Sequence, residues 1–309
     1  MEKYIYQLTQ ILEKSGWSQV RLAEEVGVSF ATVNRWLNGH TRPHLAQIRQ
    51  IEKLFREFVG IIPLPEKDIE FVLEKVTDKK KQFCDIKKFL QNERIVEEFM
   101  LEVTYNSDAI EGNTLTKKET EAVIFDKAAL KNKSLIEHLE AVNHASVLKD
   151  IFAGKLQEEI DENIIKKMHK MLMQGIREDA GEYAKYQRGI RGVDLILPHP
   201  EDIPEEMRLF CDKVNNYAGH PLEHIAKMHA DFEAIHPFGD GNGRIGRLIM
   251  IIQCLKNNLA PCVINVEEKA KYYETLEYAQ KRSETHFVCF AAEAVLKGYK
   301  IIEKYVNLY

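Results

Sequence analysis

At 309 residues the chain exceeds what one compact core usually spans, so a large domain with a small one, or two of medium size, is expected. Apolar residues make up 45% and charged residues 29%, the balance of a soluble globular protein. The net charge of -5 excludes a chain that coats nucleic acid along its whole length, although residues 1–60 carry eight Lys/Arg against six Asp/Glu and so stand apart from an acidic remainder.

The five scattered cysteines, Cys84, Cys211, Cys254, Cys262 and Cys289, include no CxxC pair and favour a reducing, cytoplasmic setting. The opening MEKYIYQLTQ lacks the basic-then-apolar layout of a secretory leader. The apolar stretch around Leu248–Leu255 is too short to span a bilayer, so no membrane partner is expected. Apolar residues recur three and four apart in most long segments and strand-like alternation is scarce, which predicts a mainly α chain without internal repeats.

In chain order, Trp17 to Pro43 reads as two short helices. Ser18 caps the first, whose apolar face holds Val20, Leu22, Ala23 and Val26; Gly27 ends it, and Ser29 caps a second helix through Leu37. The second helix would present Phe30, Ala31, Thr32, Asn34 and Arg35 outward while Val33, Trp36 and Leu37 face a core. Asn and Arg can read adenine and guanine edges, and Thr can touch a thymine methyl. Residues 5–58 resemble the Cro/lambda-repressor-like helix-turn-helix family. That resemblance implies duplex DNA as a partner through Thr32, Asn34 and Arg35, usually as a dimer, and hence a homo-oligomer. The modest excess of positive charge keeps a second reading open, in which this module docks on protein.

Gly60-Ile61-Ile62-Pro63-Leu64-Pro65 breaks the helical pattern and reads as a linker, giving domains at 1–60 and 95–309 joined by a linker and connecting helix at 61–94. An apolar-periodic helix follows over Ile95–Tyr105, and then Ser107-Asp108-Ala109-Ile110-Glu111-Gly112-Asn113, whose Gly-Asn pair reads as a helix stop with Glu111 an exposed carboxylate. Thr116 and Glu119 fit a capping box. Glycines at 189 and 192 followed by Val193–Leu197 suggest a short hairpin between Tyr183 and Pro198, and Pro204 suits the first turn of a helix to about Tyr217. His220, His224 and His229 have spacings that could reach a metal, but nothing nearby completes a site, and ordinary surface or core roles are expected.

His229 to Arg247 reads HADFEAIHPFGDGNGRIGR: a helix ending near Ile235, a glycine-rich loop, and a second helix from near Asn242 through Leu255. A glycine-rich loop entering a helix N-terminus cradles phosphate, because free backbone N–H groups and the helix dipole both favour an anion. Gly241 and Gly243 allow close approach, Arg244 and Arg247 can meet further phosphates, Asp240 can hold Mg²⁺ alongside phosphate oxygens, and His236 has the ordinary pKa range of a general base. The run Gly241–Gly246 also satisfies GxGxxG with Glu267 downstream, but a dinucleotide fingerprint needs a preceding strand, and here a helix and Pro237 precede it.

The segment His236–Arg247 resembles the Fic family, matching HPFx(D/E)GNGRxxR throughout, and the likeness extends over roughly residues 95–300, with Ala180-Gly181-Glu182-Tyr183 and Pro204. The resemblance implies an all-helical core with a β-hairpin flap that aligns a target segment. It further implies ATP with Mg²⁺ and transfer of AMP to a Tyr, Thr or Ser hydroxyl of a protein, the chain itself included. By that resemblance His236 is the base and Asp240 the metal ligand. Gly241, Asn242 and Gly243 hold the α-phosphate region, and Arg244 and Arg247 take the outer phosphates. Phe238 anchors the loop, and Tyr272 and Tyr273 lie near the nucleotide base. Ser107 and Glu111 resemble the family's inhibitory (S/T)xxxE(G/N) segment, with Glu111 pairing Arg247. Two other readings stay open: removal of AMP from a modified protein with Glu111 positioning water, and a DNA-binding regulator whose core senses nucleotide.

Overall fold

The computed structural model describes residues 2–60, 64, 66–156, 159–189, 195–216, 219–281 and 283–306. The chain divides into two compact units, 1–62 and 63–309; of the linker read at 60–65, residues 61–63 and 65 lie outside the described set.

The first unit holds α1 (Lys3–Ser15), α2 (Gln19–Val26), α3 (Phe30–Leu37) and α4 (Leu45–Phe58). The caps are those the sequence suggests: Ser18 accepts the Arg21 N–H, Gly27 ends α2 at φ 73°, and Ser29 accepts the Thr32 N–H. Leu8, Ile11, Leu22, Val33, Trp36 and Ile51 close a small core. Val20, expected on the inner face of α2, is exposed.

The second unit is built from α5 (Glu66–Gln82), α6 (Ile86–Phe89), α7 (Glu93–Glu111), α8 (Lys117–Ile124), α9 (Leu135–Phe152), α10 (Glu162–Leu172), α11 (Ile203–Asn215), α12 (Pro221–Ile235), α13 (Asn242–Lys256), α14 (Lys269–Gln280) and α15 (Thr285–Val306). Thr116 and Glu119 form the expected reciprocal cap of α8, and Pro204 sits in the first turn of α11. Helix α13 is buried on every side; Leu248, Ile249, Met250, Ile251 and Ile252 are all in the core. Burying each such side chain contributes about 1.5–3 kcal/mol, so α13 is firmly anchored in the core.

Among the described residues there is no strand. The hairpin expected between Tyr183 and Pro198 falls partly on residues 190–194, outside the described set. In the described flanks, the Ala184 N–H donates to the Pro237 carbonyl at 2.9 Å, and the Arg188 guanidinium to the Pro198 carbonyl at 2.7 Å. No helix among the described residues is long and apolar enough to cross a membrane.

Candidate active site

The end of α12, the loop after it and the start of α13 carry the site. His236 caps α12 in a left-handed conformation (φ 50°, ψ 58°), its N–H still donating to the Phe232 carbonyl at 2.9 Å. A non-glycine residue is held there at a cost of about 1–2 kcal/mol, so its surroundings must fix it. Its Nδ1 lies 3.6 Å from the Glu233 carboxylate, an ion-pair distance rather than a hydrogen bond. Burial pushes Glu233 upward, but His236, His229 and Arg247 hold it below the usual carboxylate range. An ionised Glu233 can orient the imidazole.

The loop is locked from within. Phe238 is fully buried, its ring stacked on His169 at 3.7 Å. The Asn242 side chain accepts the Phe238 N–H at 2.9 Å and donates to the Phe238 carbonyl at 2.9 Å. Both ends of the amide are thereby engaged in shaping the loop. Removing them in Asn242→Ala strands two buried backbone groups, and thermal unfolding is expected to show a loss of about 1–3 kcal/mol for each group left unpaired. Gly241 caps α13 at φ 79°, where a Cβ would press on Met173 Sδ at 3.0 Å.

His169 supports the loop from α10. Its Nδ1 accepts the Gly181 N–H at 2.8 Å, so its proton is on Nε2, which donates to the Asp240 carbonyl at 3.0 Å. Burial pulls its pKa down to about 4, which keeps the ring neutral as this two-way bonding requires.

At the start of α13 the first-turn N–H groups lack helical partners, the usual setting for an anion. Asp240 is 57% exposed beside them and accepts the Gly241 N–H at 2.6 Å. The two arginines are buried against carboxylates. Arg244 donates to Glu140 at 2.8 Å and lies 3.7 Å from Asp108. The Asp108 oxygens have no hydrogen-bond partner among the described residues, and burial raises this carboxyl to about 7 against the pull of Arg244.

Arg247 meets the end of α7. The apolar period read over Ile95–Tyr105 extends as α7 to Glu111, and Gly112 (φ 108°) ends it where the Gly-Asn pair predicts the stop. Ser107 and Glu111, one turn apart, therefore share a face. Arg247 donates to Ser107 Oγ at 2.9 Å, to the Ser107 carbonyl at 3.1 Å and to Glu111 Oε1 at 2.7 Å. The Glu111 carboxylate also lies against Gly243, where a Cβ would collide with it. It thus stands in front of the first turn of α13. Tyr272 is buried, its hydroxyl bonded to His229 at 2.8 Å and 3.5 Å from Arg247, whereas Tyr273 is 39% exposed.

The structure thus gathers Ser107, Glu111, His236, Asp240, Asn242, Gly243, Arg244, Arg247 and Tyr272 around the start of α13. Sequence reasoning missed Glu233, His169, Asp108 and Glu140, whose partners lie on other helices or loops. His220 caps α12 by accepting the Leu222 N–H, and His224 contacts the Val214 carbonyl. In the first unit, Phe30, Ala31 and Arg35 are exposed, while Thr32 and Asn34 are half-buried. Thr32 shares a hydrogen bond with Ser29, and the Asn34 amide reaches Gln19 at 3.4 Å.

Residues 159–254 match the Fic/DOC family and residues 8–57 a helix-turn-helix family. The chain is 31% identical over 228 residues to a protein adenylyltransferase Fic of Nematostella vectensis, covering 72% of this chain and 53% of that protein. It is 32% identical over 198 residues to one of Drosophila willistoni, covering 62% and 39%. The chain therefore spans about half or less of the length of these curated relatives. A Fic domain containing signaling protein of Bacteroides thetaiotaomicron shares the fold, with a TM-score of 0.65 at 24% identity over 75% of this chain and 97% of that one.

Proposed function

We propose that this chain, which carries a Fic domain at residues 159–254 behind a helix-turn-helix domain at residues 8–57, is a protein adenylyltransferase restrained by Glu111. The observation that carries the reading is His236, fixed at the end of α12 beside a helix start that carries Arg244 and Arg247 in its first turns. A Tyr, Thr or Ser oxygen of the target attacks the α-phosphorus of ATP, and its proton passes to His236. The bond from the α-phosphorus to the oxygen bridging to the β-phosphorus breaks, and pyrophosphate leaves. The N–H groups at Gly241–Gly243 hold the α-phosphate, and Arg244 and Arg247 take the outer two. Mg²⁺ fits this site: it needs only one or two carboxylates beside phosphate oxygens and water, and Asp240 offers one, so the bound ion would neutralise phosphate charge there.

Incubating the full chain with ATP labelled at the α-phosphate should label protein, the chain itself or an added lysate, while γ-labelled ATP should not. Label from the γ-phosphate, or no label from either in wild type and in Glu111→Gly, would refute AMP transfer.

For the helix-turn-helix unit the reading is duplex DNA binding, supported by the exposed Arg35 on α3. Arg35→Ala in the full chain should weaken DNA binding by about 1–3 kcal/mol if Arg35 reads a base, and affinity should fall steeply with salt. A gel-shift titration at two salt concentrations measures both. Unchanged, salt-insensitive binding would leave protein docking as the role of this unit.

A further inference from the structure

The carbonyls of His236 and Pro237 follow one another at the sharpest bend of the site, and both are held by the segment after Glu182. Ala184 donates its N–H to the Pro237 carbonyl at 2.9 Å. Arg188 gives its guanidinium entirely to backbone carbonyls. Nη1 donates to His236, with Ile235 at 3.5 Å, and Nη2 donates to Pro198 at 2.7 Å. The Arg188 Nε is buried without a hydrogen-bond partner among the described residues. A half-buried cation held by carbonyl dipoles from two separate stretches of chain does little that a neutral contact could not do for stability alone. What its planar fork adds is geometry: two donors at a fixed spacing, one on each stretch.

We infer that Arg188 is a positioning residue for AMP transfer: by clamping the His236 carbonyl to the Pro198 carbonyl it fixes the left-handed turn that aims the His236 imidazole. The backbone at His236 is in a conformation that histidine does not favour, so something outside the residue must hold it there. The α12 hydrogen bond to Phe232 fixes the N–H side of that residue; Arg188 fixes the carbonyl side. Between the two clamps the direction of the Cα–Cβ bond is set, and Glu233 at 3.6 Å from Nδ1 bears on the ring. Lysine cannot replace this, because one ammonium on a flexible stem cannot span both carbonyls at a defined angle.

The inference rests on His236 being the base, so the test includes His236→Ala. In the full chain, Arg188→Ala and Arg188→Lys are each compared with wild type for kcat of AMP transfer, for the ATP dissociation constant and for melting temperature. A misaimed catalytic group costs about 10–10²-fold, so kcat should fall by that much in both variants while ATP affinity changes by less than about twofold. Low concentrations of guanidinium ion should restore part of the activity of Arg188→Ala and none of that of His236→Ala. A kcat within about twofold of wild type in Arg188→Ala, or a kcat loss matched by an equal loss of ATP affinity, would overturn the positioning role. If His236→Ala itself transfers AMP normally, the base assignment fails instead. Should Arg188→Ala not fold, Arg188→Lys, which keeps the charge and the apolar stem, answers the same question.

Discussion

Replacing His236 by alanine is expected to cut AMP transfer by about 10²–10⁴-fold while ATP binding stays close to wild type. The two effects separate because the groups do. The imidazole stands at the end of α12, whereas the contacts proposed for phosphate are the backbone and the arginines at the start of α13. Removing the imidazole leaves the loop intact, since its shape is set by Asn242 bonding Phe238 and by His169 under Asp240. Transfer measured with α-labelled ATP, beside ATP binding by calorimetry, gives both quantities. A variant that labels protein at the wild-type rate would remove His236 from the mechanism.

Glu111→Gly is expected to act in the opposite direction, raising transfer by about 10–100-fold at matched ATP. Arg247 is nearly fully buried and donates to Glu111 at 2.7 Å. A charge-assisted pair of this kind contributes about 1.5–3 kcal/mol when sheltered from water, and each 1.4 kcal/mol or so is a factor of ten. In the proposed role, ATP has to displace the carboxylate before its outer phosphate can meet the guanidinium, and the pair would bias the resting chain away from productive binding. Glycine at the last position of α7, next to the glycine that already ends it, should cost the fold little. Arg247→Ala should not reproduce the gain, because it deletes a phosphate contact together with the restraint. Comparing labelled-AMP incorporation by wild type, Glu111→Gly and Arg247→Ala tests this; equal rates for wild type and Glu111→Gly would make the end of α7 a structural feature only.

The site was legible in the sequence where its chemistry is local. Pro237 and the glycines determine where α12 stops and α13 starts, and capping side chains lie within a few residues of what they cap, so these boundaries follow from the chain itself. Legibility failed where a partner comes from far along the chain. The polar run Asn106-Ser107-Asp108 ahead of the Gly112-Asn113 stop carries no local sign of a distant partner. Here α7 continues through it, because Ser107 and Asp108 are turned toward Arg247 and Arg244, more than a hundred residues away. His169 gave no local sign that its two nitrogens would join Gly181 to Asp240. Tyr272 and Tyr273 were read as a pair, yet successive residues on a helix point about 100° apart, and one is buried while the other meets solvent. Of the expected hairpin, residues 190–194 lie outside the described set; alternation and glycines announce extended arms, but not that the arm at Ala184 bonds the loop at Pro237.

The carboxylate in front of Gly243 belongs to the same polypeptide as the arginine it meets. Its local concentration is therefore set by the tether of α7 and not by how much protein is present, so dilution does not release it and a rising protein level does not strengthen it. If Glu111 restrains the site as proposed, a soluble competitor acts against a fixed opponent, and the ATP level at which the restraint yields is a constant of the chain. Only a shift of the end of α7 itself, or a change in the charge of that one side chain, can move that threshold.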